Sequence, residues 1–432
     1  MSKLLDQNLL GMVLQYFKFG EVQELMKNNI MCNYILKHKW CISNFGLHRS
    51  RDLEKWVNLG FTNIECIYSL VLHKNNLDIF EKINLSSLKR LSITILGDKE
   101  VKEIPNLDKL INLKVLHYYG ATIKDIQKII TLKKLEVLNI GGSQIEEIPE
   151  NIKNLKNLKI LYVEGSKLIA IPKCLENLEI LGCSYTRITK LPHTLKKLKK
   201  LYCYHSLIGE IPNTYTKLEF LDCICSKIEE IPKELTNLKT IFCHNCYNLS
   251  ILPKTLTKLE GLYSYNTKIK KVPDELKNLK VIEMGGINNY LEKIPNYLPD
   301  LIKLRMSYNR IEELPKNMKK LKKLLISNSN IKKIPCDLKN LEELDCCSTE
   351  IEEIPETLKK LKRIKCRNTK INGIPHKLKK LEEIDCRKTK IKKINSYMFP
   401  NLKEINFVEI ENIKKDKNGN YKVKNLEPKF IL

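Results

Sequence analysis

Leu178-Glu179-Ile180-Leu181-Gly182-Cys183-Ser184-Tyr185-Thr186-Arg187-Ile188-Thr189-Lys190-Leu191-Pro192-His193-Thr194-Leu195 decides the reading of this chain, because its pattern returns twenty residues later and many times after that. Far downstream, Leu341, Leu344, Cys346, Thr349, Ile351, Ile354, Pro355 and Leu358 stand at the same spacings. The shared pattern is L-x-x-L-x-C-x-x-T-x-I-x-x-I-P-x-x-L. Prolines mark its phase. Pro172, Pro192, Pro212 and Pro232 fall twenty apart, as do Pro295, Pro315, Pro335, Pro355 and Pro375. Pro105, Pro149, Pro253 and Pro273 lie close to the same grid, and Gln127 and Asn395 take the proline place in two repeats. A fixed short period means a solenoid: one repeat cannot bury its own apolar face and gains a core only by stacking.

The local physics follows from the pattern. Leu181 and Cys183 alternate with an outward residue, as in a strand, so each repeat adds one short strand to a parallel sheet. The proline fixes extended backbone on the return path, which leaves room for single turns or extended chain on the convex side. Cys183, Cys203, Cys223, Cys243, Cys346, Cys366 and Cys386 share one inward strand position and read as small buried hydrophobes. A hydroxyl position follows, with Ser166, Thr186, Ser206, Ser226, Thr349, Thr369 and Thr389 among its members. These hydroxyls are expected to bond to the backbone of the neighbouring turn.

The pattern resembles the leucine-rich repeat, L-x-x-L-x-L-x-x-N/C-x-L, and its short period and Ile-Pro element are most similar to the short-repeat class of bacterial effectors. The resemblance covers residues 65–410, about 14 to 16 repeats. It implies an α/β leucine-rich-repeat solenoid with a parallel concave sheet, and a non-catalytic role in binding a protein partner on that face. Residues 1–60 lack the repeat. Helical spacing from Leu5 to Phe17, near Glu21 to Met26 and near Tyr34 to Trp40 makes them a helical N-terminal cap. The same short leader with a late tryptophan resembles an F-box, which would make the chain a substrate-recognition adaptor of a cullin-type ubiquitin ligase. Leu5 is followed by Asp6 where that family has proline. The combination of leader and Lys/Ile/Asn-rich repeats resembles leucine-rich-repeat proteins of giant DNA viruses. The solenoid is assigned to 61–410, and 411–432 read as a capping hairpin turning at Asn418-Gly419.

Composition bounds the function classes. The formal net charge is +26 over 432 residues, which raises binding to nucleic acid or an anionic surface through a lysine-rich rim. Segments such as Leu195 to Lys200 and Lys319 to Lys323 would build that rim. The residue after the first strand leucine is ordered differently. It reads Lys114, Glu136, Lys159, Glu179, Lys199, Glu219, Lys239, Glu260, Lys280, Ile302, Lys322, Glu342, Lys362, Glu382, Lys403. The sign alternates at every step but Ile302, so each charge would lie between two opposite ones. The strip is nearly neutral, which counts against a polyanionic partner. No secretory leader or bilayer-long apolar run (roughly 20 residues) is present, and the cysteines fit an intracellular, reducing setting.

The candidate site is the outward strand face, aromatic in the middle repeats: Tyr119, Tyr162, Tyr185, Tyr202, Tyr204, Phe220, Phe242, Tyr263, Tyr265 and Tyr308. His117, His205 and His244 join them. Such residues give contact area with few rotors to freeze. From about residue 320 the face turns to Asp345, Lys365, Arg367, Asp385, Arg387 and Lys388. His205, Cys225 and His244 are a zinc-ligand candidate without the close ligand pairs of known sites. No phosphate loop, nucleophile elbow or calcium loop appears, so no enzyme, cofactor or metal is expected.

Overall fold

A computed structural model describes residues 57, 64, 66–72, 77–95, 104–121, 123–286, 291–392, 394 and 396–406. The N-terminal region 1–60, apart from Val57, and the C-terminal hairpin 411–432 therefore lie outside the described residues. The chain divides into two compact units, Met1–Leu207 and Ile208–Leu432. Each is a leucine-rich-repeat solenoid built on a parallel sheet.

In the first unit the strands are β1 (Cys66–Leu72), β2 (Arg90–Ile95), β3 (Val115–Tyr119), β4 (Val137–Asn139), β5 (Ile160–Tyr162), β6 (Ile180–Gly182) and β7 (Lys200–Tyr202). Each pairs in parallel with the next. The second unit continues the numbering with β8 (Phe220–Asp222), β9 (Thr240–Phe242), β10 (Gly261–Tyr265), β11 (Val281–Gly285) and β12 (Lys303–Ser307). After these come β13 (Lys323–Leu325), β14 (Glu343–Asp345), β15 (Arg363–Lys365), β16 (Glu383–Asp385) and β17 (Glu404–Asn406). These also pair in chain order, with leucine opposite leucine or isoleucine: Leu324 faces Leu344, and Leu344 faces Ile364.

Register follows the pattern. Leu178, Leu181, Cys183, Ile188, Leu191 and Leu195 are all buried, as are most of their counterparts in later repeats, Leu314 and Ile374 being half-buried. The seven stacked cysteines are buried as expected, and burial raises the Cys183 and Cys243 thiols above their ordinary range, which keeps them protonated and unreactive. Proline carbonyls start a tight turn on the return path, accepting from Leu235 at Pro232 (3.2 Å) and from Leu276 at Pro273 (3.1 Å). Where Gln127 replaces proline the restriction is gone. Besides the one-turn helix α1 (Ile79–Lys82), the described residues hold a longer one there, α2 (Ile123–Ile129).

The hydroxyl position departs from expectation. Thr186, Ser206, Thr349, Thr369 and Thr389 each donate to the carbonyl three residues back in their own repeat, at 2.6 to 2.7 Å, not to the neighbouring turn. Hydroxyls do reach the preceding coil from the return path, where Thr194 donates to Lys173 O and Thr357 to Cys336 O. Stitching between repeats falls also to an asparagine in the turn before the strand. Asn177 Nδ2 donates to Lys156 O (3.1 Å) in the first unit, and in the second Asn237 donates to Thr216 O (2.8 Å) and Asn340 to Lys319 O (2.7 Å). Lysines in the same place close the other side: Lys197 Nζ donates to Asn177 Oδ1, Lys258 to Asn237 and Lys360 to Asn340, each at 2.7 Å. Part of the lysine rim is thus structural.

Candidate binding face

Outward strand positions form columns that run across the strands, because parallel register stacks equivalent residues about 4.8 Å apart. In the first unit, Tyr162 on β5 and Tyr202 on β7 flank Gly182 on β6. A Cβ at Gly182 would collide with the Tyr162 ring and the Glu164 carboxylate, so both side chains lie across the glycine. Burial raises the Glu164 carboxyl above its ordinary value, and burial followed by the nearby Tyr202 and Glu164 does the same to the Tyr162 phenol. Tyr185 stacks on His205 with ring centroids 4.8 Å apart and 8° between planes, and meets Tyr204 edge-on at 5.2 Å. Tyr119 stands apart from these, accepting from Asn139 Nδ2 at 3.1 Å. His117 also faces outward on β3, its pKa lowered by burial and by Arg90.

The second unit carries the denser cluster. Phe242 stacks on Tyr263 (4.2 Å, 10°) and tilts against Phe220 at 5.7 Å. His244 lies 5.0 Å from Tyr265, and its Nδ1 accepts from the Tyr265 backbone N–H at 2.9 Å. That hydrogen bond needs Nδ1 unprotonated, and burial, ahead of the opposing charges of Glu283 and Arg305, lowers the His244 pKa. Arg305 sits over the Tyr265 ring, 5.4 Å from its centroid. Burial pushes the Tyr265 phenol up to about 12, and its hydroxyl has no hydrogen-bond partner among the described residues. The expected rings therefore cluster unit by unit, most of them half-buried, with Tyr119, Tyr185 and Tyr308 exposed.

One feature of the face is invisible in the repeat pattern. A residue just beyond the strand takes left-handed backbone in one repeat after another. Gly142, Gly165, Asn245, Asn266 and Asn328 do so with residues suited to it. Tyr185 (φ 53°), Cys225 (φ 55°), Tyr308 (φ 56°), Ser348 (φ 53°) and Lys388 (φ 53°) do so against their own preference, at roughly 1–2 kcal/mol each, and His205 (φ 50°) does so as a residue better suited to it. Tyr185 and Tyr308 are 55% and 50% exposed.

From β13 onward the face is charged and self-paired. Glu343 takes Lys323 at 2.9 Å and Arg363 at 3.1 Å. Asp385 holds Arg387 at 2.6 Å, and Ser327 hydrogen-bonds to Asp345. The alternating column forms pairs in which lysine reaches back one repeat: Lys199–Glu179 at 2.6 Å in the first unit, and Lys239–Glu219 (2.7 Å), Lys280–Glu260 (2.8 Å), Lys362–Glu342 (2.9 Å) and Lys403–Glu382 (2.7 Å) in the second. Glu342 is flanked on both sides as expected, by Lys362 at 2.9 Å and more loosely by Lys322 at 4.0 Å, and in the first unit Lys114 reaches forward a repeat to Glu136 at 3.2 Å. The zinc candidate is not assembled: among the described residues no group of three His, Cys, Asp or Glu is placed to hold a metal ion.

No protein-family model matches the chain, and no curated protein does. Solved structures do. A leucine-rich-repeat protein of Leptospira interrogans is 21% identical, with 80% of this chain and 90% of that one covered and a TM-score of 0.60. An internalin from Listeria monocytogenes is 21% identical over 76% of this chain and 89% of its own, at 0.50. The Drosophila Toll–Spatzle complex is 17% identical over 85% of this chain and 58% of that one, at 0.62. Likeness at this identity shows the leucine-rich-repeat fold. No helix among the described residues is long and apolar enough to cross a membrane.

Proposed function

We propose that this chain is a non-catalytic scaffold that binds a protein partner across the aromatic part of its sheet face. The observation that carries the reading is the Phe242–Tyr263 stack with His244, Tyr265 and Arg305 around it. Rigid rings with one polar tip are what protein-binding hot spots use. Solved chains of the same fold include Toll in its complex with Spatzle and a plant peptide hormone receptor in complex with RGF2, and that precedent favours a proteinaceous partner here.

The double variant Tyr202→Ala/Tyr263→Ala tests the reading. Each change removes half-buried surface on the face and leaves the core columns intact. Partner capture by the full-length chain should fall while the far-ultraviolet spectrum and melting temperature hold. Undiminished capture removes the reading. The intracellular ubiquitin-ligase adaptor role rests on the leader in residues 1–60 alone. It requires that an adaptor co-purify with the full chain and be lost on deleting those residues.

A further inference from the structure

Charge alternation slips at β12, and the slip marks a place for a particular kind of partner. Ile302 stands where the column calls for a carboxylate between Lys280 and Lys322. On the same strands, Lys303 faces Lys323 in register, a like-charge pairing that costs stability unless something compensates. Across β11 to β13, the outward positions and the one preceding each strand hold Lys280, Lys303, Arg305, Lys322 and Lys323 against the single carboxylate Glu283, among the described residues. Glu283 serves two cations, Lys303 at 2.6 Å and Arg305 at 4.0 Å. The flanking strands take the outer cations, Lys280 pairing with Glu260 at 2.8 Å and Lys322 with Glu342 at 4.0 Å, while Glu343, which reaches Lys323, is shared with Arg363. Another like pairing, Glu383 against Glu404, closes the last described strand with Lys403 adjacent in sequence. The basic step at β12–β13 instead abuts the aromatic cluster, joined to it by Arg305 over Tyr265.

We infer that β11–β13 dock an acidic segment of a partner protein. Its carboxylates lie against Lys303, Arg305 and Lys323, and an aromatic or apolar side chain lies against Tyr263 or Tyr265. The inference rests on the protein-binding reading and names the chemistry of the partner. Charge complementarity selects the occupant: Lys303, Arg305 and Lys323 have only shared carboxylates, Glu283 between the first two and Glu343 between Lys323 and Arg363, and the partner supplies more. A nucleic-acid strand fits less well, since it needs a continuous basic track, and from β14 to β16 the charges alternate and neutralise one another.

The test uses the full-length chain and fluorescein-labelled synthetic peptides of equal length built on Glu-Glu-Tyr-Glu-Leu-Glu, with Gln and Lys analogues, read by anisotropy at rising salt. The Glu peptide should bind about tenfold or more tighter than the Gln and Lys peptides and weaken with salt. Ile302→Glu restores the missing carboxylate and should weaken Glu-peptide binding about fivefold without lowering the melting temperature. Lys303→Gln/Lys323→Gln should do the same, and Arg363→Gln/Lys365→Gln should leave binding unchanged. No binding by the Glu peptide, equal binding of Glu and Gln peptides, or an equal loss in the β15 variant overturns the inference. So does displacement of the peptide by oligouridylate at lower concentration than by unlabelled peptide, which would make the strip a polyanion site. Gln-peptide binding that depends on Tyr263 would retain the protein-binding reading and remove only the acidic partner. Failure of that wider reading shows separately, as intact partner capture by Tyr202→Ala/Tyr263→Ala.

Discussion

Strands β8–β11 and β13–β16 share one frame and present opposite surfaces. Beneath both lie the same buried columns, with Ile241 and Leu344 each fully excluded from solvent. Above them, β9 and β10 carry Phe242 stacked on Tyr263, while β14 and β15 carry Glu343 held between Lys323 and Arg363. In the charged region the side chains satisfy one another, and a partner would have to break ion pairs to gain contact. In the aromatic region rings lie on rings with their outer faces open, so a partner gains buried area at little cost in ordering. Identity at the outward positions is thus uncoupled from the fold, and only one of the two surfaces is left in need of company.

The sharpest way to break the comparison is to show that the frames differ. Ile241→Ala and Leu344→Ala should each cost about 2–5 kcal/mol in chemical denaturation, with similar values in the two regions. A large disparity would mean that the face, not the core, sets local stability. Next comes binding. Phe242→Ala/Tyr263→Ala should cost at least about 2 kcal/mol of partner affinity, the size of a hot-spot loss, whereas Arg363→Gln/Lys365→Gln should leave affinity unchanged. Glu343→Lys should destabilise the chain by about 1 kcal/mol, because Lys323 and Arg363 would then flank a third cation. Added salt should shrink the deficit.

Acid should separate the regions by pH. The folded pKa of His244 lies below 6.5, so the unfolded chain takes up the proton first. Its contribution is present above pH 6.5 and is lost as pH falls through the folded value. In the charged region, the Lys362 hydrogen bond holds Glu342 below 4.5. Glu343 is pushed up by burial but brought below 4.5 overall by Lys323 and Arg363. Their contribution persists until pH drops below 4.5. Hydrogen exchange should therefore loosen β9–β10 between pH 6.5 and 4.5 while β13–β15 stay protected. Loosening of both regions together would contradict the assignment. The smallest effect is expected at the edge of the aromatic region, where Tyr308→Asn should raise stability by up to about 1 kcal/mol by relieving left-handed backbone, while weakening binding. A Tyr308→Asn chain that is less stable would show that the ring packs where strain was argued.

Much of this was readable from the residues alone. The period located the recurring leucines and cysteines of the core, such as Leu181, Cys183, Leu344 and Cys346, and alternation within each strand sent Tyr263 outward and Leu262 inward. The ladder of Lys239, Glu260 and Lys280 was equally legible, since side chains twenty residues apart must stack in a solenoid. What escaped depended on backbone angles and atom reach. Nothing in the letters Tyr185 or Tyr308 announces positive φ, because the pattern tolerates glycine, asparagine, tyrosine or lysine there. Nor does a threonine declare whether its hydroxyl turns back on its own carbonyl or across to the next coil. The role of Asn177 and Asn340 in stitching repeats was hidden too, because a turn asparagine does not show in the letters whether its amide reaches the preceding coil. The one-strand slip that sets Lys303 against Lys323 emerged only once the register was fixed.

The central claim is that the partner lies on the aromatic columns and not on the charged ones. Placing the photo-crosslinking residue benzoylphenylalanine at Phe242 in one sample of the full-length chain, and at Lys365 in another, compares the two directly in the same lysate. The account predicts a discrete crosslinked partner from position 242 and none from position 365. A discrete partner captured at 365, with none at 242, would contradict it.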